Sequence, residues 1–123
     1  MKLSEARNII IREILDTKYF EDHIEDKYGV KLDLYDNGDH LVLSSIVVPN
    51  DERGIGIGTK VMEELEDYAD EVQLPVYLTP AVDFGASSKA RLEKFYKRFN
   101  FQKKPRSDFK SRNTMVRYPF EKA

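Results

Sequence analysis

The 123-residue sequence predicts an α/β (α+β) fold in which a β-hairpin leads into a strand, loop and helix crossover. Three features carry that expectation. From Val30 the hydropathy alternates with a period of two, and Asn37-Gly38 interrupts it before a second extended run, Leu41 to Val48. Glycines at alternate positions, Gly54, Gly56 and Gly58, then open an apolar stripe at helical spacing. After that helix, the short apolar run Val76 to Thr79 lies between prolines and suits a buried strand parallel to the earlier one.

A chain of this length buries roughly two thirds of its unfolded surface, enough for one core, so residues 1–123 are read as one domain. No run of about 18 apolar residues is present to span a membrane, and the N-terminus lacks the pattern of a signal peptide. A soluble, cytoplasmic protein is expected. Cysteine is absent, which excludes a disulfide scaffold and a thiolate nucleophile. The two separated histidines, His23 and His40, cannot build a structural zinc site, and no metal is expected. Catalysis must use oxygen or nitrogen groups. The net charge of −2 conceals an asymmetry: residues 1–86 carry 8 basic and 19 acidic side chains, residues 87–123 carry 12 and 3. A basic C-terminal third can attract phosphates, and it can equally be a set of solvated helix faces.

Along the chain, Ser4 to Thr17 places Ala6, Ile10 and Ile14 at helical spacing, and Phe20 and Ile24 begin a second helix that Gly29 stops. The hairpin of Val30 to Val48 follows, with Asn37-Gly38 supplying positive φ angles for a tight turn. Pro49 ends its second strand. Val61, Met62, Leu65, Tyr68, Ala69 and Val72 form the stripe of the next helix. Ser87 or Ser88 can cap a last helix on which Leu92, Phe95, Tyr96 and Phe99 share a face, and Asn100 can close it in the left-handed conformation. Phe101 starts an extended return. Gln102 to Asn113 reads as a polar, basic loop or irregular hairpin before a final strand, Thr114 to Tyr118.

The glycine loop is the informative segment. Glycines directly after a strand and opening a helix leave backbone amides unshielded, and the helix N-terminus adds positive potential, so the loop suits a pyrophosphate. Arg53 adds a mobile charge. The structural alternative is a turn that needs positive φ. Counting excludes two competing motifs. A dinucleotide fingerprint requires G-x-G-x-x-G, whereas the frames from Gly54 and Gly56 end in Thr59 and Val61; a P-loop requires glycine before its lysine, and Thr59 precedes Lys60. Asp83-Phe84-Gly85 spells a kinase signature in a chain too short for a kinase.

The segment Ile46-Val47-Val48-Pro49, three residues and then Arg53-Gly54-Ile55-Gly56-Ile57-Gly58 resembles the acyl-CoA motif of the GNAT superfamily. That motif is arginine or glutamine, two residues, glycine, one residue, glycine or alanine; Arg53, Gly56 and Gly58 fill it. Leu92, Phe95-Tyr96 and Phe101 resemble the family's closing helix and strand, and Met115-Val116-Arg117-Tyr118-Pro119 is similar to the terminal strand of short members found in phages and mobile elements. The resemblance covers about residues 41–119. It implies a three-layer fold, a central mixed twisted sheet flanked by helices, with an abbreviated N-terminal, acceptor-binding half. Asn100 replaces the usual glycine, and Lys89 stands where many relatives have asparagine.

The same resemblance implies acetyl-CoA as cosubstrate, held by Ile46, Val47, Val48, Arg53, Gly54, Ile55, Gly56, Ile57, Gly58, Thr59, Ser88 and Lys89. It implies that Ile46 to Val48 part from the neighbouring strand, bond the pantetheine arm and polarise the thioester carbonyl. Tyr96 matches the family tyrosine that serves as general acid toward the departing thiolate; its structural alternative is core packing. The implied reaction is N-acetylation of an amine by direct attack. An amine of pKa about 10.4 is neutral in only about one molecule in 2,500 at pH 7, so a base or water chain is needed; Glu52 and Asp83 flank the cleft without being assignable. Ser87 and Ser88 read as caps rather than nucleophiles. A cationic acceptor suits the acidic half, and a monomer or homodimer is expected. One alternative is an acyl-CoA-binding regulator of a partner protein. Another, nucleic-acid binding through the basic region with Phe99, Phe101 and Phe109 as stacking groups, is the less favoured.

Overall fold

The computed structural model describes residues 16–49, 56–81 and 88–121, which form a five-stranded mixed sheet and three helices. The helix expected over Ser4 to Thr17 lies outside these residues except at its end, where Asp16 and Thr17 start the following helix instead. Helix α1, Thr17–Tyr28, is capped by Asp16, whose side chain accepts from the Tyr19 amide at 2.7 Å, and it stops at Gly29 with φ 68°. Phe20 and Ile24 are its buried face. Strand β1, Lys31–Asp36, turns Leu32 and Leu34 inward.

The hairpin turn is tight, as expected, but its tip lies one residue later. Only Gly38 takes positive φ, at 96°, and the Asn37 amide donates to the His40 carbonyl at 2.9 Å, so Gly38-Asp39 rather than Asn37-Gly38 form the tip. The reason is local: the Asp36 carboxylate accepts from the Gly38 amide at 2.8 Å and holds Gly38 at the first tip position. His40 is buried, edge-on to Tyr77 at 5.2 Å.

Strand β2, Leu41–Val47, pairs antiparallel with β1, and one extra residue interrupts the register: Asp33 faces Ser45 while Leu34 faces Leu43, leaving Ser44 as a bulge. The bulge shifts the side-chain phase. Leu41 and Leu43 point to the core before it, Ile46 and Val48 after it. Helix α2, Ile57–Val72, follows, with all six residues of the expected stripe buried. Strand β3, Val76–Leu78, runs parallel to β2 and antiparallel to β5, Met115–Arg117. Between them in sequence come α3, Lys89–Lys97, and β4, Gln102–Lys103, which pairs with β5 and gives the order β1-β2-β3-β5-β4. Asn100 closes the turn after α3 with φ 69°.

Apolar residues of α1, α2, β1, β2, β3 and β5 make one cluster, joined by Phe99 and Phe101, with Phe95 and Tyr96 of α3 packed against it. Two polar devices complete the sheet. The outer amides of edge strand β1, those of Leu32 and Leu34, donate to Glu25 and Glu21 of α1 at 3.0 and 3.1 Å, which blunts an edge otherwise open to pairing. Arg117, fully buried on β5, donates twice to Asp70 at 2.9 and 3.0 Å and once to Glu66 at 3.3 Å, both on α2. That bidentate pair fastens helix to sheet.

Candidate functional site

The start of α2 differs from the starts of the other helices. Asp16 caps α1, and Ser88 caps α3 by accepting from the Arg91 amide at 3.1 Å. At the head of α2 stands Gly56, in the left-handed region at φ 83°, with no side-chain cap among the described residues and, as in the other two helices, no acidic residue in the first turn. The first intrahelical bond is Lys60 N–H to the Gly56 carbonyl at 3.0 Å, so the amides of Ile57, Gly58 and Thr59 precede the ladder. A side-chain cap is worth about 1 kcal/mol, whereas truncating a single buried leucine such as Leu65 costs about 2–5 kcal/mol. The buried stripe anchors this helix, and its fold tolerates an uncapped end that presents donors and the positive end of the dipole to an anion.

The two described glycines of the loop differ. Gly56 is fixed by its backbone angle, which L side chains other than asparagine or aspartate seldom adopt. Gly58 is not required by space: a Cβ there would meet Phe95 Cζ at 3.6 Å, an ordinary contact. That proximity joins the glycine loop to α3 and hence to Tyr96, the next residue. Arg53, Gly54 and Ile55 lie outside the described residues, as do Glu52, Asp83 and Ser87.

The strand that leads into the loop opens on one side. Strands β2 and β3 pair only at Leu41 with Val76 and Val42 with Tyr77. From Leu43 to Val47, β2 keeps β1 on one flank and has no ladder to β3 on the other. The bulge at Ser44 sits where the two strands part. Ile46 and Val48 pack against the core, and Val47 is 52% exposed.

Tyr96 is half-buried, edge-on to Phe95 at 5.3 Å and to Phe101 at 5.9 Å. Burial raises its hydroxyl pKa above the ordinary tyrosine value, and among the described residues the hydroxyl has no hydrogen-bond partner. Thr59 and Ile57 are half-buried on the first turn of α2. Ser88 is spent on capping α3, and Lys89 begins that helix exposed. Phe99 and Phe101 are core residues, which removes two of the three stacking groups that nucleic-acid binding called for; Phe109 alone is exposed.

Three features were not foreseen from the sequence. The bulge had a signal, the change in parity from Leu41 and Leu43 to Ile46 and Val48 across the serine pair. Arg117 had a weaker one, a single charge within the apolar strand. The third is the Asp108 clamp, in which one carboxylate oxygen accepts from Tyr77 and Tyr118 hydroxyls at 2.6 and 2.7 Å. Those partners, 31 and 10 residues away, left no periodic trace.

The profile described as "Acetyltransferase (GNAT) family" matches residues 19–101. Among solved structures, the anti-CRISPR protein AcrVA5 is similar over 69% of this chain and 85% of its own, at 22% identity and a TM-score of 0.56. A structure described as histone acetyltransferase HPA2 and related acetyltransferase, from Corynebacterium glutamicum ATCC 13032, is similar over 72% of this chain and 46% of its own. Its identity is 19% and its TM-score 0.48. No curated protein matches by sequence. The likeness to AcrVA5 is one of fold.

Proposed function

Because the chain belongs to the GNAT acetyltransferase family, we propose that it transfers the acetyl group of acetyl-CoA directly to a primary amine of a small molecule or protein. The observation that carries this reading is the head of α2, an uncapped helix start at Gly56 with no acidic neighbour in its first turn. Its amides, with Arg53, Gly54, Ile55 and the side of Thr59, receive the pyrophosphate. The open flank of Ile46 to Val48 supports main-chain bonding of the pantetheine arm and donation to the thioester oxygen. Ser88 and Lys89 border the cofactor from the start of α3.

In the transfer, the neutral amine attacks the thioester carbon, the carbon–sulfur bond breaks, and the sulfur takes a proton from the Tyr96 hydroxyl. The proton lost by the amine passes to water, and water returns a proton to the Tyr96 phenolate. The raised pKa of Tyr96 keeps that hydroxyl protonated at neutral pH, and its lack of a described partner leaves the donor available to the sulfur.

Calorimetry with acetyl-CoA tests the cradle. Gly56→Asn, which tolerates the left-handed angle, is expected to bind within several-fold of wild type, and Gly56→Asp, which adds a charge at the anion site, to lose at least ~100-fold. Arg53→Ala should weaken binding less than Gly56→Asp. Tyr96→Phe should bind normally and release thiol about 10²–10⁴-fold more slowly in a panel of amines. Failure of coenzyme A to bind the wild type at millimolar concentration ends the proposal; tight binding without thiol release favours an acyl-CoA-binding regulator.

A further inference from the structure

Two features on opposite faces of the sheet match each other. On the helical face, Tyr19, Phe20 and His23 of α1 and Glu64, Asp67, Tyr68 and Glu71 of α2 line a cavity of about 280 Å³. Its wall is aromatic, with Phe20 and Tyr68 stacked at 4.5 Å, and its rim is acidic. Glu64 is held by His23 at 3.0 Å, Lys27 at 3.2 Å and the Tyr28 hydroxyl, while Asp67 is exposed and makes no ion pair among the described residues.

On the other face lies the loop between β4 and β5. Val76 and Leu78 of β3 join the helix-side cluster, so Tyr77 between them points away from the helices, and its hydroxyl holds Asp108. The clamp fixes the residue before Phe109, which is 89% exposed, the most exposed large hydrophobic side chain described. Arg106, Lys110 and Arg112 flank it in sequence, all exposed. Asp108 also accepts from the Lys110 amide at 3.1 Å, and Asn113 bonds Ser111 and Thr79. The ring is thus presented on an ordered loop, so little conformational entropy is lost when it docks.

We propose that the chain associates head to tail: Phe109 of one copy enters the cavity between α1 and α2 of a second copy, and Arg106, Lys110 and Arg112 face its acidic rim. The loop cannot reach the cavity of its own chain, because loop and cavity lie on opposite sides of the sheet. The second copy is favoured over another protein because the complementary charges reside in one sequence, acidic through residue 86 and basic beyond it. The contact is heterologous, so a dimer retains one unused loop and one unused cavity.

Sedimentation of the full chain between about 10 μM and about 1 mM, in roughly 50 and 500 mM NaCl, tests this. Wild type is expected to associate with concentration at low salt and to weaken at least tenfold at high salt. Phe109→Ser and Asp67→Lys, both at exposed positions and checked for native circular dichroism, should each be monomeric. Mixed, they should form a 1:1 complex and nothing larger, because the first variant keeps its cavity and the second its loop. A wild type that stays monomeric throughout overturns the proposal. So does a mixture that fails to pair, which would mark a symmetric contact, or association that neither substitution affects.

Discussion

Strand β3 meets β5 along its full length, three residues against three, and Arg117 of β5 reaches back to Asp70 and Glu66 of α2. On its other flank β3 meets β2 for two residue pairs and then parts from it. The closed flank combines ladder, core and a buried ion network; the open flank leaves β2 supported by β1 and by the inward Ile46 and Val48. If β2 offers its main chain to a ligand, as proposed, its support must come from elsewhere, and the opposite flank and the core packing of Ile46 and Val48 supply it. Stability and proposed binding therefore occupy different sides of one three-residue strand.

The largest expected effect comes from breaking the closed flank. Arg117→Ala leaves Asp70 and Glu66 facing each other without the guanidinium, and removing one partner of a buried pair costs about 3–5 kcal/mol. Denaturant unfolding should show this as a lowered midpoint with unchanged slope. Because the network does not touch the glycine loop among the described residues, acetyl-CoA affinity of the remaining folded protein should stay within about threefold. A loss below about 1 kcal/mol would mean that the ladder alone secures this flank.

The second effect probes the side of the closed flank away from the helices. Tyr77→Phe removes one of the two hydroxyls that Asp108 accepts, and the unfolding midpoint should fall by less than in Arg117→Ala. The two tyrosine hydroxyls hold the Asp108 carboxyl down at about 2, well below the usual carboxylate range. A depressed folded pKa means that the clamp stabilises fully above the unfolded value of about 3.9 and loses that contribution as pH falls toward 2. Stability measured from pH 6 to pH 2 should fall less steeply in Asp108→Asn than in wild type. Parallel curves would detach the carboxylate from the clamp.

Much of this contrast is legible in the sequence, and the rest is hidden for identifiable reasons. Periodicity located α2 and its six buried residues, because a stripe of that length has few alternative readings. Gly29 and Asn100 marked chain reversals through their tolerance of left-handed angles, and the glycine series located the uncapped helix start. The hairpin was legible as a tight turn, and its tip fell one residue later than expected because Asp36 offers Gly38 a side-chain acceptor, which the Asn-Gly pair alone does not reveal. The closed flank was nearly invisible: Arg117 lies 47 residues from Asp70 and 51 from Glu66, and its one local signal, a single charge within an apolar strand, does not name its partners. Family resemblance pointed to Tyr96, and its part-buried hydroxyl, without a partner among the described residues, became apparent only in the packing of α3.

The smallest expected effect tests the open flank. Val47 lies beyond the last β2–β3 pair and is half-exposed, opposite Lys31 of β1. Val47→Thr keeps the β-branched shape and the main chain while exchanging a methyl for a hydroxyl at a surface position. Stability should change by no more than about 0.5 kcal/mol. If this strand serves acetyl-CoA through peptide groups, as proposed, the affinity should also hold within about twofold, since none of those groups is altered. A tenfold loss of affinity with stability retained would assign the contact to the side chain. A loss of more than about 2 kcal/mol would show that this stretch carries as much of the fold as the β3–β5 side.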